Sequence, residues 1–315
     1  MTILDAIFQG VIQGATEFLP VSSSGHLSIS QHMFGIELPG ILFDVMLHLG
    51  TLIAVVFVYR GLIWRLLKEF FSLLGDLFRG RFRWSGMNAD RRLIFMLVIG
   101  LLPLFLLFLP VPGTDMKVKD FSEQLASDAG IITEGVALLA TSALLFLGIW
   151  ANKNGSLQSH GTGRHWAKGG AVGRDSLTVG DSVIIGITQC LAAIFPGLSR
   201  SGSTMSVGLM RGVTQQSALD YSFVLGIPSI AAAALLSLKD VGTAGESIGA
   251  IPLVVGVVTA AVVGFLAIKL LKWIVTTNKL SIFAIYTLLA GLAVTIIGII
   301  EYVQGINLFT GKPLL

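Results

Sequence analysis

Residues 4–26 read LDAIFQGVIQGATEFLPVSSSGH. The stretch before Pro20 is an apolar helix pattern, shorter than the ~20 residues that a membrane-crossing helix needs. Gln13 and Glu17 are four apart, so they share the helix face that leads into the proline. Past Pro20 come three consecutive hydroxyls, Ser22, Ser23 and Ser24, then a glycine and His26. A half-length helix, a proline, a polar tip and a second short helix over about 23–36 predict a re-entrant hairpin. Such a hairpin enters and leaves a membrane on one side.

The surrounding chain supplies that membrane. It is 54% hydrophobic and 12% charged, with a mean hydropathy of +0.83. That is about half the usual share of charge for a soluble domain. Long uncharged runs predict six full spans at 41–60, 93–111, 131–151, 217–238, 250–271 and 280–302. A porin-type barrel would show short alternating segments instead. The start MTILDAIFQG lacks the basic stretch of a cleavable signal peptide, which predicts a retained amino terminus. The single cysteine, Cys190, rules out an internal disulfide and a cysteine metal cage.

A second short helix, 182–195, runs into Pro196 and the tip PGLSRSGSTMS (196–206). Shifting the chain by 176 residues sets Asp5, Gly10, Gln13, Pro20 and Ser23 on Asp181, Gly186, Gln189, Pro196 and Ser199. Asp44, Leu49 and Gly50 fall on Asp220, Leu225 and Gly226. The chain is therefore read as an all-α polytopic membrane protein and a single membrane domain. Repeat one covers about 1–151, a Gly-rich loop 152–180, and repeat two about 181–303, each repeat a re-entrant hairpin plus three spans. With six spans and four half-helices, the odd number of spans between hairpins turns the second repeat upside down.

Charge sets the orientation. Segment 60–92 holds eight Lys and Arg, whereas 112–130 has only Lys117 and Lys119 among its acids. The first is expected inside and the second outside, with the mouth of the first hairpin external. In 60–92, Arg65, Lys68, Glu69, Ser72 and Asp76 share a helix face, which predicts an interfacial helix; a seventh span is the rival. His160 and His165 are read as solvated loop residues. Asp44 and Asp220 are read as scaffold, His48 as a partner for Asp44, and Glu134 and Glu301 as span-end groups that reach water.

Ionisable groups at membrane depth are costly and usually mark a function. Helix amino termini with hydroxyls bind anions, and Arg200 adds a planar cation suited to phosphate. At the 176 offset Glu17 becomes Ala193, Ser24 becomes Arg200 and His26 becomes Gly202. One tip thus offers an acid–base group and an imidazole, the other a fixed cation. That set suits a phosphate or diphosphate ligand and a hydrolase, or else a secondary transporter or flippase for a phosphorylated lipid or anion.

QGATEFLPVSSSGH (13–26) together with PGLSRSGST (196–204) resembles the bacterial undecaprenyl-diphosphate phosphatase family, known for bacitracin resistance; FAIYTLLAG (283–291) fits its last span. The resemblance implies hydrolysis of an isoprenoid lipid diphosphate to the monophosphate and inorganic phosphate, recycling the carrier for cell-wall synthesis. It implies Glu17, Ser23, His26 and Arg200 as catalytic groups, with Ser23 preferred to His26 as nucleophile because Ser23 falls on Ser199. A metal-bound water is the third option. Ser22, Ser24, Ser199, Arg200, Ser201 and Thr204 are expected on the phosphates. A divalent cation, Mg²⁺ or Ca²⁺, is expected on Glu17 and, where the family has Glu or Gln, on Gln13. The expected setting is the bacterial inner (plasma) membrane, multi-pass, with the active site facing outward. The lipid substrate and the bilayer are the expected partners, nucleic acid is not, and a homodimer is left open.

Overall fold

The computed structural model describes residues 1–36, 41–81, 83, 86–114, 116–126, 130–155, 173–241 and 249–314. His160, His165 and most of the Gly-rich loop lie outside them. The described chain is helical: α1 Ile3–Phe18, α2 Ser23–Phe34, α3 Ile41–Val58, α4 Arg60–Phe78, α5 Ala89–Leu101, α6 Val118–Ala126 and α7 Ile132–Gly155. There follow α8 Val179–Ile194, α9 Arg200–Met210, α10 Gln215–Val241, α11 Ala250–Thr276 and α12 Ser281–Gln304. Among the described residues, five helices are long and apolar enough to cross a membrane, or six paths if α3 and α4, bent by 82° at their junction, count as one. These fall where hydropathy places the spans. Exposed Val254, Val258, Val262, Leu266 and Leu270 form an apolar stripe along α11, four residues apart as on one helix face.

The two short helices start alike. Thr2 caps α1 by accepting from Asp5 N while Asp5 caps the Thr2 N–H, and Thr178 with Asp181 does the same for α8. Both helices stop two residues before a proline, because the residue preceding proline is pushed to extended backbone; Leu19 has ψ 142° and Phe195 ψ 104°. The tips then differ. Ser22 caps α2 with its Oγ on Gly25 N at 3.2 Å, and Ser199 caps α9 with its Oγ on Gly202 N at 3.1 Å. The second turn, 195–199, is one residue longer than the first, 19–22. Past the prolines the offset is therefore 177, and Ser22, not Ser23, is the counterpart of Ser199. Ser23 pairs with Arg200, each the first residue of its helix. The shorter turn closes only because Ser22 takes φ +75°, where the longer one uses Gly197 at φ +82°.

Helices exchange partners between the halves of the chain. α1 lies against α11 and α8 against α5, while α7 and α12 pack on each other. Small residues make these approaches close, as membrane helices require where no hydrophobic effect draws helices together. A Cβ on Gly14 would stand 2.7 Å from the Ala260 carbonyl oxygen and 2.8 Å from Val263 Cβ. Gly14→Val is therefore expected to destabilise the protein by about 1–3 kcal/mol, seen as a lower thermal midpoint in detergent. Gly61→Ala, on α4 with nothing within 4 Å of the added carbon, is expected to hold or raise it.

α4 turns its charged face toward α5, not only toward water. Arg91 donates to Glu69 at 2.7 Å and Asp76 at 2.9 Å, and Arg65 to Asp90 at 3.2 Å. On α4, Leu66 and Leu73 are buried, while Trp64, Phe71 and Phe78 are among its exposed apolar residues. Glu134 and Glu301 do not reach water: both are buried. Ser28 donates to Glu134 at 2.7 Å, and Glu301 holds His32 at 2.8 Å and the Leu308 N–H at 2.8 Å. Their carboxylates are spent tying α2 and the carboxyl-terminal segment to the bundle.

Candidate active site

The two tips meet. The Ser201 hydroxyl donates to the Leu19 carbonyl at 3.3 Å, and Gly202 approaches Pro20 so closely that an added Cβ would lie 3.2 Å from the proline ring. A buried apolar core that includes Phe18, edge-on to Phe223 at 5.2 Å, and Val21 holds the first turn. Above the tips opens a cavity of about 950 Å³ lined by Glu17, Ser23, Ser24, Arg200 and their neighbours. Its side walls are apolar. They come from Leu104, Phe105 and Phe108, after Pro103 has tightened the end of α5 into a 3₁₀ turn, and from Ala232–Leu236 of α10.

Glu17 is the hub of the polar end. Its Oε1 accepts from Arg200 Nη2 at 2.7 Å. Its Oε2 accepts from Ser23 Oγ at 2.7 Å and from Gln13 Nε2 at 2.9 Å. Glu17 is only 7% exposed, and a carboxylate so enclosed needs these partners to stay charged. Arg200 is itself held by the Gly226 carbonyl at 3.2 Å. The arrangement presents a hydroxyl whose proton rests on a carboxylate, beside a guanidinium, at the start of two helices.

The other expected site residues divide. Ser22 and Ser199 line the cavity, yet their hydroxyls are engaged as helix caps. Thr204 is buried away from the cavity, bonded to the Arg200 carbonyl at 2.8 Å and to Ser222 at 2.6 Å. His26 points elsewhere: Nδ1 lies 2.7 Å from the Ser22 carbonyl and Nε2 2.7 Å from the Tyr286 hydroxyl, and it does not line the cavity. Gln13 is fully buried behind Glu17 and serves it as a donor.

Asp44, read as scaffold, and His48, read as its partner, belong here. Asp44 and His48 of α3 both line the cavity, and His48 Nε2 is 3.6 Å from Glu17 Oε2. The Asp44–His48 spacing of four placed them on one helix face, but only tertiary packing turns that face to Glu17. Asp220, the repeat partner of Asp44, instead takes the Tyr59 hydroxyl and Lys272.

Among the described residues no three His, Cys, Asp or Glu side chains are grouped to cage a metal. The donors present are hard oxygens: Glu17, the Ser23 hydroxyl, and the unpartnered buried Oδ1 of Asp44. That set fits Mg²⁺ or Ca²⁺, and Mg²⁺ in particular is commonly held by one or two carboxylates plus substrate phosphates rather than by a full protein cage.

A family profile described as "Bacitracin resistance protein BacA" matches residues 6–293. The chain is 35% identical over 296 residues to a curated undecaprenyl-diphosphatase of Methanobrevibacter smithii, covering 93% of this chain and 97% of that one. It is 37% identical over 302 residues to the undecaprenyl-diphosphatase of Moorella thermoacetica, covering 94% and 98%. Undecaprenyl-diphosphatase 4 of Bacillus cereus is 34% identical over 288 residues, covering 91% and 93%.

Proposed function

Because the chain belongs to the bacitracin resistance protein BacA family, we propose a catalytic scheme for it as a lipid diphosphatase. It is a multi-pass membrane hydrolase that cleaves undecaprenyl diphosphate to the monophosphate and inorganic phosphate, returning the carrier to cell-wall synthesis. The observation that carries the scheme is Glu17 joined to both Ser23 and Arg200 at the polar end of one cavity.

In this scheme the isoprenoid tail lies along the apolar walls and the diphosphate reaches the tips. Arg200 and the free N–H groups at the starts of α2 and α9 hold its oxygens. Ser23 Oγ attacks the terminal phosphorus as its proton passes to Glu17 Oε2. The bond from phosphorus to the bridging oxygen breaks, and the lipid monophosphate leaves. Glu17 passes that proton to the departing monophosphate, and the carboxylate so restored deprotonates the water that attacks the phosphoserine; the proton then returns to Ser23 Oγ as inorganic phosphate leaves. Glu17 and Asp44 would hold a divalent cation, which would neutralise charge on the diphosphate. Ser23 is favoured over His26 because it already bonds the carboxylate, whereas both imidazole nitrogens of His26 have other partners. The correspondence of Ser23 with Ser199 no longer supports that choice, since the caps pair Ser199 with Ser22.

The two short helix pairs are re-entrant hairpins of an inverted repeat. The matched capping boxes of α1 and α8 support this, as does the exchange by which each packs on a long helix from the other half. The protein sits in the plasma membrane in this reading, and the charge of its loops supports a cavity mouth that faces outward. The test is release of inorganic phosphate from undecaprenyl diphosphate by purified protein in detergent, with and without Mg²⁺. Detergent removes compartments, so a transporter or flippase would release none. Folded protein without release would end the scheme.

A further inference from the structure

At the first tip an amide serves a carboxylate: Gln13 Nε2 donates to Glu17 Oε2. At the second tip the amide is kept and the carboxylate is gone. Gln189 stands at the position of Gln13 and Ala193 at that of Glu17, on helices that begin with the same capping box. Gln189 is 1% exposed, and it lines the cavity with Ala193, Ser23 and Arg200. Its Oε1 accepts from the Ser229 hydroxyl at 3.2 Å, a proton shared with the Leu225 carbonyl at 2.9 Å. Its Nε2 has no partner. A buried donor left unmade is costly, and the alanine leaves open the space that a glutamate side chain would fill.

We propose that Gln189 is a substrate-binding residue whose Nε2 donates to a non-bridging oxygen of the diphosphate, seated where the second tip lacks its carboxylate. A phosphate oxygen and a carboxylate oxygen are the same kind of acceptor, anionic and able to take several donors. Glu17 is flanked by Ser23 and Arg200, the first residues of the two tip helices, and by Gln13. By the repeat correspondence the mirrored seat would have the same two residues and Gln189 as its flanks, and all of them line the one cavity with Ala193. The second half thus recognises the substrate with the amide that the first half uses to hold its base. This rests on the lipid diphosphatase reading.

The test uses the full-length protein in detergent. Phosphate release from undecaprenyl diphosphate gives kcat and KM, and a non-hydrolysable methylene-bridged isoprenyl bisphosphonate gives binding alone. Gln189→Leu is expected to raise KM and the analogue's Kd at least ~10-fold, with kcat much less affected. Gln189→Glu keeps the acceptor for Ser229 and sets a negative charge against the diphosphate, so it should bind the analogue more weakly still. Ala193→Glu should fill the seat, pairing with Gln189 and Arg200, and abolish analogue binding while the thermal midpoint holds. Analogue affinity unchanged in Gln189→Glu or in Ala193→Glu overturns the inference, as does a Gln189→Leu protein that loses thermal midpoint alone. Wild-type protein that releases no phosphate overturns the diphosphatase reading instead, which keeps the two failures apart.

Discussion

Arg200→Ala is expected to reduce phosphate release at least ~10³-fold, at the upper end of what removal of one preorganised oxyanion donor costs. Two losses act together. The guanidinium no longer meets the charge on the transferred phosphoryl group, and Glu17 loses the partner that stands 2.7 Å from its Oε1. A carboxylate 7% exposed and stripped of its cation costs about 3–5 kcal/mol, so the thermal midpoint should fall as well. Arg200→Lys should recover much of that midpoint and little of the activity. An ammonium is a point charge that does not reproduce the fork spanning Glu17 and the Gly226 carbonyl. Glu17→Gln with Arg200→Met removes both charges, and it should fold more stably than Arg200→Ala while remaining inactive. Activity within tenfold of wild type in Arg200→Ala would show that the second tip does not serve the chemistry.

Ser23→Ala should lower kcat at least ~10⁴-fold, in the range found when a covalent nucleophile is deleted. Its effect on the fold should be small, because Ser22 and not Ser23 caps α2. Binding of the bisphosphonate analogue should survive, since Arg200 and the helix amino termini remain. The stricter test is acid quenching of enzyme supplied with substrate labelled at the terminal phosphate. Label should be trapped on wild-type protein and not on Ser23→Ala. His26→Ala, whose ring is stacked on Tyr286 at 5.6 Å outside the cavity, should lose far less activity. A reversal of that order, with His26 indispensable and Ser23 expendable, would replace the scheme with an imidazole nucleophile.

Much of this architecture is legible in the residues because membrane spans and helix breaks are local properties. Uncharged runs mark α5, α7 and α10 to α12, while Pro20 and Pro196 mark the two tips. The convergence of Glu17 and Arg200 follows once both tips are seen to carry complementary polar groups. Register past the prolines does not follow. A gapless offset pairs Ser23 with Ser199, but the longer second turn shifts α9 by one residue, and only the unusual φ of Ser22 shows how the shorter turn closes. His48 is read only as a partner for Asp44, because its distance to Glu17 depends on how α3 sits against α1. The burial of Glu134 and Glu301 is hidden likewise, since nothing near them in sequence announces Ser28 and His32 as partners. Thr204 shares a motif with Arg200 yet points to Ser222, as a helix turn carries its side chain away from the tip.

The exchange of helices between halves also bears on how the chain is made. α1 ends at Phe18, yet the helix it packs against begins only at Ala250. At about 5–20 residues per second, roughly 10–50 seconds pass before that partner exists. Throughout that interval α1 carries Gln9 and Gln13, both fully buried at the end, without the groove made by Gly256 and Gly264. Assembly is completed from the carboxyl-terminal side, and the half that carries Glu17 and Ser23 becomes an organised site only after the other half has arrived.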